Sequence, residues 1–293
     1  MVVNSPRALL RAGRPRQWTK NLLVLTAPGA AGSLDEAAAV GPVLLTLLAM
    51  CLASSSTYFV NDLVDLEADR RHPVKRQRPL ASGAVSVTAA RLAACVAGVA
   101  GVALAFAVNT LTGVTVVSYM ALTLSYSAVW KHIAVVDLVA VASGFVLRAV
   151  AGAQAAEVGI STWFLLFVTF GSLLVVTGKR EAELADLGED GGSVRVTLEQ
   201  YTRPFLRMVL AIAATAALVV YCIWAFEASD VSASSWPWFE LSIVPMLVAM
   251  LRYLLVLEQG RGAAPEEVFL SDRTLQVVGA VWAVVFALGV YAS

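Results

Sequence analysis

Residues 38–60 read AAVGPVLLTLLAMCLASSSTYFV, and residues 61–80 continue NDLVDLEADRRHPVKRQRPL. The first stretch carries no charge. As a helix rising about 1.5 Å per residue it is long enough to cross a hydrocarbon core of about 30 Å. The second stretch gathers four acids (Asp62, Asp65, Glu67, Asp69) and then five bases (Arg70, Arg71, Lys75, Arg76, Arg78). The chain around them is 59% hydrophobic, 14% charged and formally neutral. A charged cluster at the end of an apolar run marks a membrane boundary, with chemistry concentrated on one side of it.

Working outward, nine apolar spans can be drawn: 18–33, 38–60, 86–107, 110–129, 133–152, 160–178, 205–226, 240–257 and 273–291. A backbone in lipid must satisfy its hydrogen bonds within the segment, so each span is expected to be helical. The alternation of a membrane β-barrel is absent. Span 18–33 is short and interrupted by Pro28 and Gly29. If loops are numbered alternately from an inside N-terminus, all but one of the 21 Lys and Arg residues fall on the inside set or the adjoining span ends. The exception is Arg148, within span 133–152. The positive-inside rule then places the N-terminus in the cytoplasm and the C-terminus outside, in a plasma-membrane protein. The expectation is one transmembrane domain over residues 1–293, with a basic cytoplasmic tail at 1–17. Cys51, Cys95 and Cys222 lie in apolar stretches without metal-ligand spacing and read as small core residues.

If the helix of span 38–60 runs on past Tyr58, Asn61, Asp62, Asp65 and Asp69 share a narrow arc of one face. Carboxylates crowded this way repel one another unless a cation sits among them. Hard oxygen ligands suit Mg²⁺, which commonly bridges carboxylates to a diphosphate. Pro73 helps to end the helix, and Lys75, Arg76 and Arg78 then become phosphate-type donors in a loop. The plainer alternative is a loop whose acids and bases pair with each other.

The other inside loops repeat this chemistry. RPRQWTKN offers Arg14, Arg16, Gln17, Lys20 and Asn21. LSYSAVWKHIAVVDL brings Tyr126, Lys131 and His132 near Asp137, an intramembrane acid that needs a partner, with Lys131 the candidate. TGKREAELADLGED adds Lys179, Arg180, Glu181, Glu183 and Asp186. Glu183 and Asp186 have the spacing for a second metal, and Lys179 with Glu183 the spacing of a simple helix ion pair. TLEQYTRPF reads as part of a lid or a surface turn. Arg148 is expected either to bind a lipid phosphate or to pair with Asp137. Arg252 is expected to snorkel to the inside face, and Ser271 or Asp272 to cap the last helix.

The NDxxDxxxD stripe, the Tyr-x4-Lys after the fourth span and the charged cluster after the sixth resemble the UbiA superfamily of intramembrane prenyltransferases. That resemblance implies an all-α bundle of nine transmembrane helices around a central cavity roofed by cytoplasmic loops. It also implies that Asn61, Asp62, Asp65 and Asp69 bind Mg²⁺ and a diphosphate. KREAELAD departs from the family's second Asp-rich motif, since Lys179 and Arg180 stand where metal-binding acids are usual. Taken together, RPRQWTKN, NDLVDLEADRRHPVKRQRPLASG, GFVLRAVAG, GKREAEL and PEEVFLSDRTLQ are similar to an actinobacterial branch that hands 5-phosphoribose to a polyprenyl phosphate. This implies 5-phosphoribosyl 1-diphosphate as donor and decaprenyl phosphate as acceptor, with the product feeding arabinan synthesis for the cell wall. Asp62, Asp65 and Asp69 would be catalytic. Gln17, Lys20, Asn61, Lys75, Arg76, Arg78, Tyr126, Lys131, Arg148, Lys179, Arg180 and Glu183 would bind substrates. The lipid bilayer is the further expected partner, no nucleic acid is expected, and a homo-oligomer stays open. The competing expectations are a prenyltransferase with a prenyl diphosphate donor and an aromatic acceptor, and a transporter. A transporter would place its polar groups near the midplane, whereas here they crowd one surface.

Overall fold

A computed structural model describes residues 4–186, 198–232, 234–260, 268–269 and 271–291. Every regular element among them is helical. In chain order the α-helices are α1 (Pro6–Ala12), α2 (Thr26–Ala30), α3 (Ala37–Val64), α4 (Leu66–Arg71), α5 (Val87–Val108), α6 (Thr110–Ala128), α7 (Val136–Ala155), α8 (Thr162–Asp186), α9 (Arg203–Val231), α10 (Trp238–Leu241), α11 (Ile243–Glu258) and α12 (Arg273–Tyr291). Among the described residues, eight spans are long and apolar enough to cross a membrane, α10 and α11 together forming one of them. They coincide with the second to ninth expected spans, and the protein is an all-α, multi-pass membrane protein.

The first expected span is built differently. Residues Pro15–Leu25 form a 3-10 run, followed by the single turn of α2. So long a 3-10 run is unusual, because its hydrogen-bond geometry is poorer than an α-helix's. Pro15 starts it, and Pro28 and Gly29 follow closely. Asn21, in its middle, is fully buried and finds side-chain partners that fix the segment in place.

Two compact units divide the chain. The first comprises residues 1–29, 33–131 and 147–159. Its core includes Val24, Val43, Ala49, Met50, Ala53, Ala105, Val116 and Tyr119. Without a hydrophobic drive between helices in lipid, close backbone approach supplies the packing. A Cβ on Gly101 would stand 2.9 Å from the Ala49 carbonyl oxygen, and one on Gly152 would stand 1.8 Å from that of Val24. Asn109 both ends α5 and caps α6, accepting from the Thr112 backbone N at 2.8 Å.

The second unit comprises residues 30–32, 132–146 and 160–293. One of its cores joins Leu174, Leu210, Ala213, Tyr253, Val256, Leu257 and Leu275. Asp272 caps α12, accepting from Leu275 N at 3.0 Å, and pairs with Arg252 at 2.8 Å. Arg252 is therefore held by an acid of the next helix rather than only reaching for the surface. Rows such as Leu92, Val96 and Val99 on α5, and Val277, Val281 and Val284 on α12, stay exposed on the protein. Such rows suit contact with lipid, where apolar surface needs no protein cover.

Candidate active site

In the first unit, α3 carries Asn61 and Asp62 in its last turn and stops at Asp65, where φ is −87° and ψ is 5°. The chain resumes at once as α4, which presents Asp69. The acid stripe thus lies on two short-coupled helices rather than one continuous helix. His72 then turns extended (φ −80°, ψ 133°), as a residue before proline prefers, and Pro73 follows.

Asp62 and Asp69 are each only 3% exposed. A buried carboxylate left without a partner costs several kcal/mol, about 3–5 when a buried pair is broken. Each therefore meets a cation brought from elsewhere. Arg78 Nη1 reaches Asp69 Oδ2 at 2.6 Å and Asp62 Oδ1 at 3.3 Å. Arg14 forms a second ion pair with Asp62 Oδ1, its guanidinium carbon 5.1 Å from the centre of the Tyr58 ring. Asp65 takes Lys131 Nζ at 2.9 Å. Lys131 is thereby a partner of Asp65, a pairing that sequence proximity to Asp137 did not suggest. Glu67 and Arg70 form an exposed pair at 2.8 Å.

The remaining expected binders of this unit lie on the same polar elements. Gln17 and Lys20 are half-buried on the 3-10 run, Asn61 and Tyr126 half-buried near the ends of α3 and α6, and Lys75 half-buried in its own 3-10 turn. Arg76 is exposed, and with Arg11, Gln77 and Ser82 it lines an open cavity of about 480 Å³.

Arg148 is different. It sits roughly 18 Å along α7 from that helix's start and is 6% exposed. Its Nε donates to Asn21 Oδ1 at 2.8 Å, its Nη2 donates to Tyr119 OH at 2.8 Å, and its guanidinium lies 4.6 Å from the Tyr119 ring centre. Two neutral oxygens and an aromatic face are among the groups that hold this cation, and through Asn21 it fastens the irregular first segment.

In the second unit, the end of α8 carries Lys179, Arg180, Glu181 and Glu183. Arg180 is 5% exposed and forks between Asp137 Oδ2 (3.2 Å, from Nε) and Glu183 Oε2 (2.8 Å, from Nη1). Lys179 Nζ stands 3.9 Å from the other Glu183 oxygen. Asp137 also accepts a hydrogen bond from the Tyr201 hydroxyl, which itself accepts from Val135 N at 2.6 Å. Burial, and after it the hydrogen bond to Asp137, pushes the Tyr201 phenol up, so it stays a neutral donor. Tyr201 is 5% exposed and Leu198 is also buried, so these two side chains anchor the stretch, while Gln200, Thr202, Arg203 and Pro204 stay on the surface. Glu181, next to Arg180, turns to α9 and pairs with Arg203 at 2.7 Å. His132 is exposed. The side chain of Asp186 lies outside the described residues.

Among the described residues, no three His, Cys, Asp or Glu side chains already stand close enough to enclose a metal ion. The reason in the first unit is plain: Arg14, Arg78 and Lys131 hold the carboxylates. The donor set nevertheless fits a divalent cation. Asp62 and Asp69 offer hard oxygens that converge on one Arg78 nitrogen, so a single positive centre can be shared between them. In the second unit Glu183 faces two cations, a surrounding suited to anions more than to a second metal. Arg14 and Asp137, noted in the sequence as charged groups of these segments but not as binders of substrate, and Tyr201, noted only within a lid or surface turn, complete these clusters. The paired arginines of RPRQWTKN were the only sequence signal for Arg14.

Among the described residues, eight spans long and apolar enough to cross a membrane, with acids and bases interleaved at the ends of α3 and α8, make this a multi-pass membrane protein with polar clusters at its helix ends. The UbiA prenyltransferase family model matches residues 22–279, and the chain belongs to that family. It is 41% identical to decaprenyl-phosphate phosphoribosyltransferase of Corynebacterium glutamicum, over 98% of this chain and 88% of that protein. It is also 41% identical to the Mycobacterium tuberculosis protein of the same name, over 96% of this chain and 95% of the relative. A UbiA homolog from Archaeoglobus fulgidus, solved with GPP and Mg²⁺, shares the fold with a TM-score of 0.73. The two are 16% identical, over 97% of this chain and 99% of that one.

Proposed function

We propose that this protein transfers 5-phosphoribose from 5-phosphoribosyl 1-diphosphate to decaprenyl phosphate or a close polyprenyl phosphate. The products are polyprenylphosphoryl-5-phosphoribose and diphosphate, the lipid product serving arabinan synthesis for the cell wall. The observation that carries this reading is the full-length 41% identity to two enzymes of that name. The geometry supports it, since both polar clusters hold more cationic reach than a neutral aromatic acceptor would need.

Asn61, Asp62, Asp65 and Asp69 would hold Mg²⁺. The ion would serve as a Lewis acid that stabilises charge on the departing diphosphate. The chain's own residues do the rest. Arg78 and Lys75 bind and orient phosphate oxygens of the donor beside the carboxylates, with Gln17, Asn61 and Tyr126 available as neutral hydrogen-bond groups. Lys20 and Lys131 supply positive charge for the acceptor phosphate. Lys179 and Arg180, with Glu183 and Asp137 fixing their geometry, form a second phosphate cradle, and Arg76 lines a third basic surface. Arg148 fastens the irregular first segment on which Gln17 and Lys20 ride. The acceptor is already an anion, so its oxygen attacks C1 without a proton being removed. The C1–O bond to diphosphate breaks as the C1–O bond to the lipid phosphate forms, and inversion at C1 follows from direct displacement. Preorganised positive charge around two anionic reactants is the main catalytic device.

We take residues 1–293 to act as one transmembrane catalytic domain in the plasma membrane, with the N-terminus and both charged clusters on the cytoplasmic side and the C-terminus outside. A C-terminal reporter that is active only outside the membrane would be active on this topology and silent on the opposite one.

A second reading has one specific observation in its favour: the fold neighbour from A. fulgidus was solved with a prenyl diphosphate. The test separates the two. Purified protein, Mg²⁺, radiolabelled 5-phosphoribosyl 1-diphosphate and decaprenyl phosphate should move label into the lipid phase. Folded protein that leaves the label in water, yet prenylates an aromatic acceptor from a prenyl diphosphate, would replace the first reading with the second.

A further inference from the structure

Arg14 stands out from every other cation near the acid stripe. Its backbone is left-handed, with φ 53° and ψ 58°, at the start of the 3-10 run. That conformation is strained for any residue but glycine and is kept where surrounding structure enforces it. The enforcement is visible. The Ser55 hydroxyl donates to the Gly13 carbonyl at 3.0 Å, and the Trp18 indole donates to the same Ser55 oxygen at 3.0 Å. Ser55 lies two turns before Asp62 on α3. Contacts on either side of Arg14 thus tie it to the helix that carries the acid. Its guanidinium stacks over Tyr58 and is ion-paired to Asp62. A guanidinium is a planar donor fork suited to phosphate as much as to carboxylate. Its side chain is 28% exposed, whereas that of Asp62 is 4% exposed, so its outer face remains reachable.

We infer that Arg14 is a diphosphate-binding residue held in reserve. In the substrate-free protein it neutralises Asp62. When a metal-bound diphosphate enters, the Asp62 carboxylate is given over to the metal and Arg14 turns its fork to a diphosphate oxygen. This deepens the proposed function and rests on its assignment of a metal and a diphosphate to the stripe. It adds a residue from the N-terminal segment to that site, and it explains why the carboxylates stand paired rather than gathered. Charge is conserved across the exchange: one carboxylate passes from an organic cation to the metal, and the freed cation passes to the new anion.

The exchange has a signature that a purely structural role lacks. Removing Arg14 takes away a competitor for the metal and a ligand for the diphosphate, so the two affinities move in opposite directions. The probes are Mg²⁺ alone and inorganic diphosphate at saturating Mg²⁺, each titrated calorimetrically into the full-length protein. In Arg14→Ala, Mg²⁺ should bind about three- to tenfold tighter than in wild type, because a neighbouring positive charge is gone. Diphosphate should bind about ten- to a hundredfold more weakly, the value of a hydrogen bond to a charged group. Arg14→Gly relieves the backbone strain and must show the same opposed changes, which keeps the test valid if the alanine variant folds poorly. Arg7→Ala removes an exposed charge from the same N-terminal segment and should move neither affinity. Both affinities falling together, or neither moving, in either Arg14 variant overturns the inference. Neither titration contains ribose or polyprenyl phosphate, so a wrong donor and acceptor would show in the transfer assay while leaving these results intact.

Discussion

The two charged clusters use the same residue types and are satisfied in different ways. At the α3–α4 junction three acids are each met by a cation, two from distant parts of the chain, Arg14 and Lys131, and one, Arg78, from the loop that follows α4. Among the described residues, no neutral side-chain donor reaches Asp62, Asp65 or Asp69. At the end of α8, Arg180 serves Asp137 and Glu183 together, and Asp137 is completed by the neutral hydroxyl of Tyr201. The first arrangement is a set of carboxylates whose cations can be exchanged for another cation. The second is a hydrogen-bonded lock in which the acid serves to aim the arginine. A buried ion pair contributes little net stability when it can be replaced, and costs a great deal when one partner alone is removed. The comparison therefore predicts where catalysis fails and where folding fails.

The sharpest test pairs one substitution from each cluster. Asp62→Asn keeps the shape of the side chain and removes the charge that both Arg14 and Arg78 face. Transfer should fall by about a thousandfold or more if the carboxylate serves the metal, with the midpoint of thermal unfolding changing little. The Arg14 and Arg78 side chains left behind are 28% and 29% exposed and water can take up their charge, whereas Arg180 and Asp137 are buried. Arg180→Ala leaves two acids facing each other without their guanidinium, one of them buried. It should lower stability by about 3–5 kcal/mol in a denaturant titration. An Asp62→Asn protein that unfolds early, or an Arg180→Ala protein as stable as wild type, would erase the distinction between exchangeable and locked pairs.

A medium effect comes from the neutral member of the lock. Tyr201→Phe deletes a donor to Asp137 and an acceptor for Val135 N. It should cost about 1–3 kcal/mol, while Mg²⁺ binding, a property assigned to the first unit, stays unchanged. The pH dependence follows from the direction of the shift. The phenol is favoured in its protonated form in the folded state, so its contribution is fully present below the unfolded value of about 10. It is lost as pH rises above that value toward the folded one. Wild type should therefore lose stability above about pH 10 more steeply than Tyr201→Phe. Parallel curves would mean that Tyr201 is not the buried donor described.

Much of this was legible in the sequence, for definable reasons. The second to ninth spans follow from hydropathy, because lipid leaves a backbone no alternative to the helix. The acid stripe was visible because its spacing is helical, although the break at Asp65 was not. The first span was drawn too regular, since hydropathy does not register that Asn21 is buried polar and must be matched by Arg148, Cys51 and Ser54. The partner of Asp137 was misread for a related reason. Lys131 is near it in sequence, but Arg180 and Tyr201, 43 and 64 residues away, are the groups that folding delivers. Pairing across helices is decided by which faces meet, and one sequence does not encode that in any local pattern.

The smallest expected effect tests the boundary of the first cluster. Glu67 and Arg70 belong to the same run of charges as Asp62 and Asp69, and by composition alone they look equally functional. Their side chains are 69% and 48% exposed and pair only with each other at one helical turn. Solvent and salt screen such a pair, and its value is at most about 0.5 kcal/mol. Arg70→Ala should therefore leave transfer, metal binding and unfolding within error of wild type at moderate ionic strength. A loss of transfer beyond about threefold would mean that the site extends along α4 past Asp69, and that the buried set of carboxylates and their long-range cations is only part of the machinery.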